Sequence, residues 1–179
     1  IPLPEINKED SRNRLERLKT LRARALIWAL FSTGQRVSDV TALTRNDLED
    51  AKSGNLIEKQ NIKTGRTAHF MLGEDASASI SDYLNERNDN SPFLFIQHGR
   101  WGTPPHNALP VFFLQDGYTK GYGAKLSTKS AREITKLVAE YAGYIKNGKN
   151  VAGVHVSPHA FRHYHLTKLK MLGLPLDVI

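Results

Sequence analysis

Apolar residues recur along this chain at helical spacing over most of its length and give way to short strand-like runs only between residues 56 and 72. Residues 7–19 are highly charged yet carry Leu15 and Leu18 three apart, and they lead into the apolar stretch 25–31. A buried helix is expected there, because that stretch is hydrophobic on nearly every side. Thr33-Gly34 supplies a stop, since glycine takes positive φ without penalty. A second helix is expected through Val37, Val40 and Leu43, with Arg36 in its first turn.

Residues 56–61 and 67–72 predict two short strands joined by the turn-like segment 62–66, which holds a glycine and two cations. The expectation is a β-hairpin with a basic tip. Residues 75–87 predict a helix with Ile80, Tyr83 and Leu84 on one side, followed by a short buried segment at 92–96. Residues 97–126 are rich in Gly and Pro and carry Trp101, Phe112, Phe113, Tyr118 and Tyr122, the signature of a long loop or insertion with aromatic anchors. Ser127 and Thr128 offer N-caps for a helix through Ile134, Leu137 and Val138 to Tyr141, and Ser157-Pro158 opens the last complete helix. The order α, α, β, β, α, loop, α, α predicts one domain over residues 1–179, mostly α with a small antiparallel β-sheet, an α+β fold.

Composition narrows the function classes. The 40% hydrophobic content of these 179 residues suffices for a packed core, and the net charge of +7 points to an anionic partner such as nucleic acid. The chain has no cysteine, which excludes disulfides, thiolate zinc sites and a cysteine nucleophile, and suits a cytoplasmic protein. No apolar run approaches membrane-spanning length, so no membrane partner is expected.

Two arginines stand out, Arg36 in Thr33-Gly34-Gln35-Arg36-Val37-Ser38-Asp39 and Arg162 in His159-Ala160-Phe161-Arg162-His163. Both lie beside helix boundaries, and two guanidinium groups from remote elements suit a phosphate gripped on both non-bridging oxygens. His159 and Arg162 are three apart and share a helix face. Arg36 and Asp39 are also three apart, so the carboxylate is placed to orient the guanidinium from behind. Lys63 at the hairpin tip can donate a proton or contact a phosphate. His165 falls on the stripe of Phe161, Leu169 and Leu172, which reads as a partly buried, hydrogen-bonded histidine. A metal site from His155, His159 and His163 is disfavoured, because Pro158 puts His155 before the helix and leaves two aligned ligands.

Gly34-x-Arg36-x-x-Asp39, then Lys63 on a hairpin, then His159-x-x-Arg162-His163, in that order, resembles the catalytic domain of the tyrosine recombinases, the phage integrase family. The resemblance covers nearly the whole chain, and Leu43, Asp47-Leu48 and Gly173-Leu174 also fit it. It implies a site-specific DNA recombinase or integrase of a phage or mobile element. Strand cleavage and rejoining would pass through a 3′-phosphotyrosine, with no metal and no cofactor. By motif position, Arg36 and Arg162 would neutralise charge on the phosphate, His159 would hydrogen-bond it and help move the nucleophile's proton, and Lys63 would protonate the leaving 5′-oxygen. Asp39 and His163 would support the site, and Arg66 would join Arg36, Lys63 and Arg162 in contacting DNA. The partners implied are double-stranded DNA and other recombinase subunits in a tetrameric synaptic assembly, in the nucleoid or host-cell cytoplasm.

The chain also departs from the family pattern. Gln35 stands where an apolar residue is usual, and the 97–126 loop is longer than usual. The nucleophilic tyrosine is expected beyond Ile179, and the N-terminal core-binding domain lies outside residues 1–179. Such a fragment would not cleave DNA in cis. The alternatives are a non-catalytic duplex-DNA-binding or assembly module with the same fold, and a type IB topoisomerase. Lys59 and Arg66 compete with Lys63 for the acid's place if the strand boundaries shift.

Overall fold

The computed structural model describes residues 8–87, 89–98, 123–151 and 153–173. The two expected N-terminal pieces form one helix, α1 (Lys8–Thr33), which presents Leu15, Leu18, Ala25, Leu26, Ala29 and Leu30 as a single buried stripe. That stripe is narrower than the sequence suggests. Ile27 and Trp28 are only half-buried and Phe31 is exposed, because α1 meets the neighbouring helices along a face rather than being enclosed.

Gly34 ends α1 at φ +57°, its N–H donating to the Leu30 carbonyl. The helix expected through Leu43 proves to be a single turn, α2 (Val37–Val40), and Arg36 is its extended N-cap residue (φ −66°, ψ 150°) rather than part of its first turn. A separate helix, α3 (Arg45–Lys52), follows. The Asp47 carboxylate accepts from both the backbone N–H and the hydroxyl of Thr44, at 2.6 and 2.7 Å. That local bonding starts a new helix at Arg45 and keeps α2 short.

The predicted hairpin is present as β1 (Ile57–Gln60) and β2 (Thr67–Phe70), antiparallel with Ile57 opposite Phe70 and Gln60 opposite Thr67. Its turn closes through Gly65 N–H to the Asn61 carbonyl and Asn61 N–H to the Arg66 carbonyl, both 2.8 Å. Helix α4 (Glu74–Arg87) buries Ile80 and Tyr83, and Leu94, Phe95 and Ile96 are wholly buried, as the apolar segment predicts. Leu94 N–H donates to the Leu43 carbonyl, which stitches this segment to the turn after α2. Of the expected loop over 97–126, residues 99–122, with all five aromatic anchors, lie outside the described residues.

Helix α5 (Thr128–Tyr141) starts where predicted, with the Ser127 side chain accepting from Ser130 N–H at 3.0 Å. Leu137 and Tyr141 face solvent instead of the core, which takes Ala131, Ile134, Thr135 and Ala139. A second hairpin, β3 (Ile145–Lys146) with β4 (Lys149–Asn150), adds to the elements that the sequence pattern predicts. Its turn is Asn147-Gly148, both at positive φ, a sequence signal for a tight hairpin. Helix α6 (Pro158–Met171) has the predicted Ser157 N-cap and proline at its start, and it packs on α1. The result is a mostly helical fold with two small antiparallel sheets.

Candidate active site

Three separate elements deliver cationic or imidazole side chains to one cleft of about 470 Å³: Arg36 from the α1–α2 turn, Lys63 from the hairpin tip, and His159 with Arg162 from the first turns of α6. Thr128 and Arg132 of α5 complete its wall. Arg162 is aimed by Gly34, whose carbonyl accepts from Nη1 at 2.7 Å. Burial, reinforced by the Arg36 charge and opposed by Asp39, lowers the pKa of Arg162. Two like charges held near each other in a half-buried cleft make a site that gains by accepting an anion.

Arg36 Nη1 donates to Asn61 Oδ1 at 2.9 Å. The expected role of Asp39 behind that guanidinium is corrected by the structure. Among the described ion pairs none joins Arg36 to Asp39, and Asp39 Oδ1 instead accepts from Ile62 N–H at 3.0 Å. The carboxylate thus fastens the root of the Lys63 turn, because the one-turn α2 points it toward the hairpin.

His159 Nε2 lies 3.0 Å from His163 Nε2, with the rings edge to face, a bond in which one ring donates and the other accepts. His163 therefore reaches the cleft only through His159. His155 pairs with Asn150 instead, and among the described residues no three His, Asp or Glu side chains converge as a metal site would need. His165 is half-buried, its Nδ1 3.2 Å from the Phe31 carbonyl, as its apolar stripe predicts.

Of the two rivals for Lys63, Lys59 is held by Asp47 at 2.9 Å, and Arg66 is exposed and does not line the cleft. Asn61 and Arg132 are the site residues that sequence reading missed. An asparagine before a turn reads as turn chemistry, and an arginine on an amphipathic helix reads as solvent-facing. Among the described residues no tyrosine lines the cleft: Tyr83 is in the core and Tyr164 stacks on Phe31. No helix among them is long and apolar enough to cross a membrane.

The chain is 26% identical over 159 residues to the tyrosine recombinase XerA of Pyrococcus furiosus, covering 89% of this chain and 44% of that protein. It is 31% identical over 160 residues to the tyrosine recombinase XerD of Mycobacterium leprae, covering 89% and 43%. The chain thus spans less than half the length of these relatives. The crystal structure of XerA recombinase superposes with a TM-score of 0.57 at 18% identity, covering 99% of this chain and 55% of that one, and so shares the fold. Residues 4–179 match the phage integrase family, and the chain belongs to that family.

Proposed function

We propose that residues 1–179 form the catalytic domain of a site-specific DNA recombinase or integrase, which cuts and rejoins duplex DNA through a 3′-phosphotyrosine. The observation that carries this reading is the convergence of Arg36 and Arg162 on one cleft with His159 and Lys63 beside them. A scissile phosphate seated there meets a guanidinium on each side, so charge developing on its non-bridging oxygens is neutralised where it forms. A tyrosine oxygen attacks phosphorus, the P–O5′ bond breaks, and the leaving oxygen takes its proton from the Lys63 ammonium. His159, steadied by His163, hydrogen-bonds the phosphate and accepts the tyrosine proton. Asp39 supports the site by holding the Lys63 turn. Arg66, on the exposed side of the same hairpin, contacts the DNA backbone.

We assign the nucleophile to a tyrosine outside these 179 residues, so that residues 1–179 by themselves do not cleave in cis. Neither metal nor cofactor takes part in the proposed steps. The partners are double-stranded DNA, to which the +7 charge is suited, and further recombinase subunits in a tetramer on that DNA, in the cytoplasm.

A second reading is a duplex-DNA-binding or assembly module that keeps the fold without cutting, to which the +7 charge is equally suited. The two are separated with the full-length protein and a nicked duplex that traps the covalent product. Adduct formation that falls on the order of 100-fold in both Arg36→Ala and Arg162→Ala supports the recombinase. Adduct yield unchanged in both variants overturns it, and duplex binding with no adduct from the full-length protein selects the module.

A further inference from the structure

Two side-chain bonds fasten the turn that carries Lys63 to the turn that carries Arg36. Arg36 Nη1 donates to Asn61 Oδ1 at 2.9 Å, and Ile62 N–H donates to Asp39 Oδ1 at 3.0 Å. Asn61 is only 7% exposed, and its own backbone closes the hairpin through Arg66 and Gly65. Its side chain is therefore fixed relative to Lys63, two residues on. Any movement of the hairpin tip must either carry the Arg36 guanidinium with it or break this bond.

The chemical type of the acceptor matters as much as its place. An amide oxygen orients a guanidinium without cancelling its charge, whereas a carboxylate at the same distance would form an ion pair and weaken the attraction for a phosphate. Asp39 is nearby, but its Oδ1 accepts from Ile62 N–H rather than from Arg36. Asn61 orients Arg36 without adding negative charge of its own.

We infer that Asn61 is a positioning residue, which holds the Arg36 guanidinium and the Lys63 turn in one register while leaving the positive charge of the cleft intact. This rests on the recombinase reading above. Asn61→Asp keeps the shape and the acceptor but adds a charge, and Asn61→Ala removes the acceptor. In the full-length protein, Asn61→Asp is expected to keep the wild-type urea midpoint while single-turnover adduct formation falls on the order of 100-fold. Its duplex affinity should also lose about one unit of salt slope, the mark of one phosphate contact given up.

Asn61→Ala is expected to slow adduct formation roughly 10-fold or more and to add no further loss on top of Arg36→Ala. That cycle decides the question if Asn61→Asp fails to fold. Wild-type rates in both Asn61 variants while Arg36→Ala is defective would overturn the inference and leave the recombinase reading standing. So would a full additional loss from Asn61→Ala in the Arg36→Ala background. A wild-type rate in Arg36→Ala itself would overturn both.

Discussion

Arg162 Nη1 and the carbonyl oxygen of Gly34 are 2.7 Å apart, so a cleft arginine on the last helix takes its aim from the residue that ends the first. The same glycine is at φ +57°, which lets the chain reverse and present that carbonyl, and it packs directly against His165 of α6. One backbone position therefore sets both the direction of Arg36, two residues later, and the docking of α6.

Gly34→Ala should disturb all of this at once. A side chain at that φ costs about 1–2 kcal/mol, and its Cβ would lie 2.6 Å from His165 Cγ and 2.9 Å from His165 Cβ. Overpacking of this kind adds about 1–3 kcal/mol. Urea unfolding is expected to show a loss in that combined range. The Gly34→Ala, His165→Ala pair should lose less than the sum of its single changes, because removing the imidazole relieves the contact with Cγ, though neither the approach to the Cβ that alanine keeps nor the φ penalty. Strict additivity would show that the imidazole contact plays no part.

Lys63 and Lys59 should separate cleanly. Lys63 lines the cleft, while Lys59 is engaged with Asp47 at 2.9 Å. In the full-length protein Lys63→Ala is expected to slow cleavage about 10²–10⁴-fold on ordinary DNA, the range for loss of a general acid. A substrate with a bridging sulfur at the 5′ position, which leaves without needing a proton, should restore most of that rate. Lys59→Ala should cleave both substrates like wild type and lose at most about 1 kcal/mol of stability from its partly exposed ion pair. Sulfur rescue of a cleavage defect in Lys59→Ala would reverse the two assignments.

Acid should weaken the fold through His98. Burial, aided by the charges of Arg22 and Arg87, lowers its pKa to about 3, and its Nε2 lies 2.9 Å from the Tyr83 hydroxyl. An unfolded histidine takes up a proton below about pH 6.5, whereas the folded one resists until about pH 3. Its stabilising contribution is thus complete above the unfolded value and is lost as pH falls through that window, with a limiting slope of about 1.4 kcal/mol per pH unit. Urea unfolding of wild type and His98→Gln from pH 7 to 4 should show the gap between the two narrowing on the acid side. A constant gap would contradict this.

Arg87 is a structural cation. Its side chain is fully buried, forks onto both oxygens of Asp89 at 2.6 and 2.8 Å, and donates to the carbonyls of Phe93 and Leu94. Arg87→Met should cost about 3–5 kcal/mol, because the Phe93 and Leu94 carbonyls lose the guanidinium and Asp89 keeps only Ser91 N–H and the more distant Arg45. Arg87→Lys should recover little, since an ammonium cannot reproduce the fork. A urea midpoint within error of wild type for either variant would refute the assignment.

Local chemistry made much of this molecule legible before any folding. The Ser157-Pro158 start of α6, the Ser127 start of α5, the Gly34 stop and the β1–β2 hairpin each depend on a few adjacent residues whose preferences no distant contact overrides. The Asn147-Gly148 turn is equally local, but strands of two residues carry no alternation that would announce the hairpin around it. Where the sequence misleads, a tertiary choice intervenes: α1 buries a stripe instead of its whole circumference, and Leu137 and Tyr141 of α5 are left in solvent, because burial depends on which neighbours arrive. The residue types of the cleft, Arg36, Lys63, His159 and Arg162, were visible as motifs on separate elements. Their convergence, the Arg162–Gly34 bond and the transfer of Asp39 from Arg36 to the hairpin are contacts between segments far apart in the chain. Periodicity constrains only neighbours along the backbone, so only the packed structure could decide them.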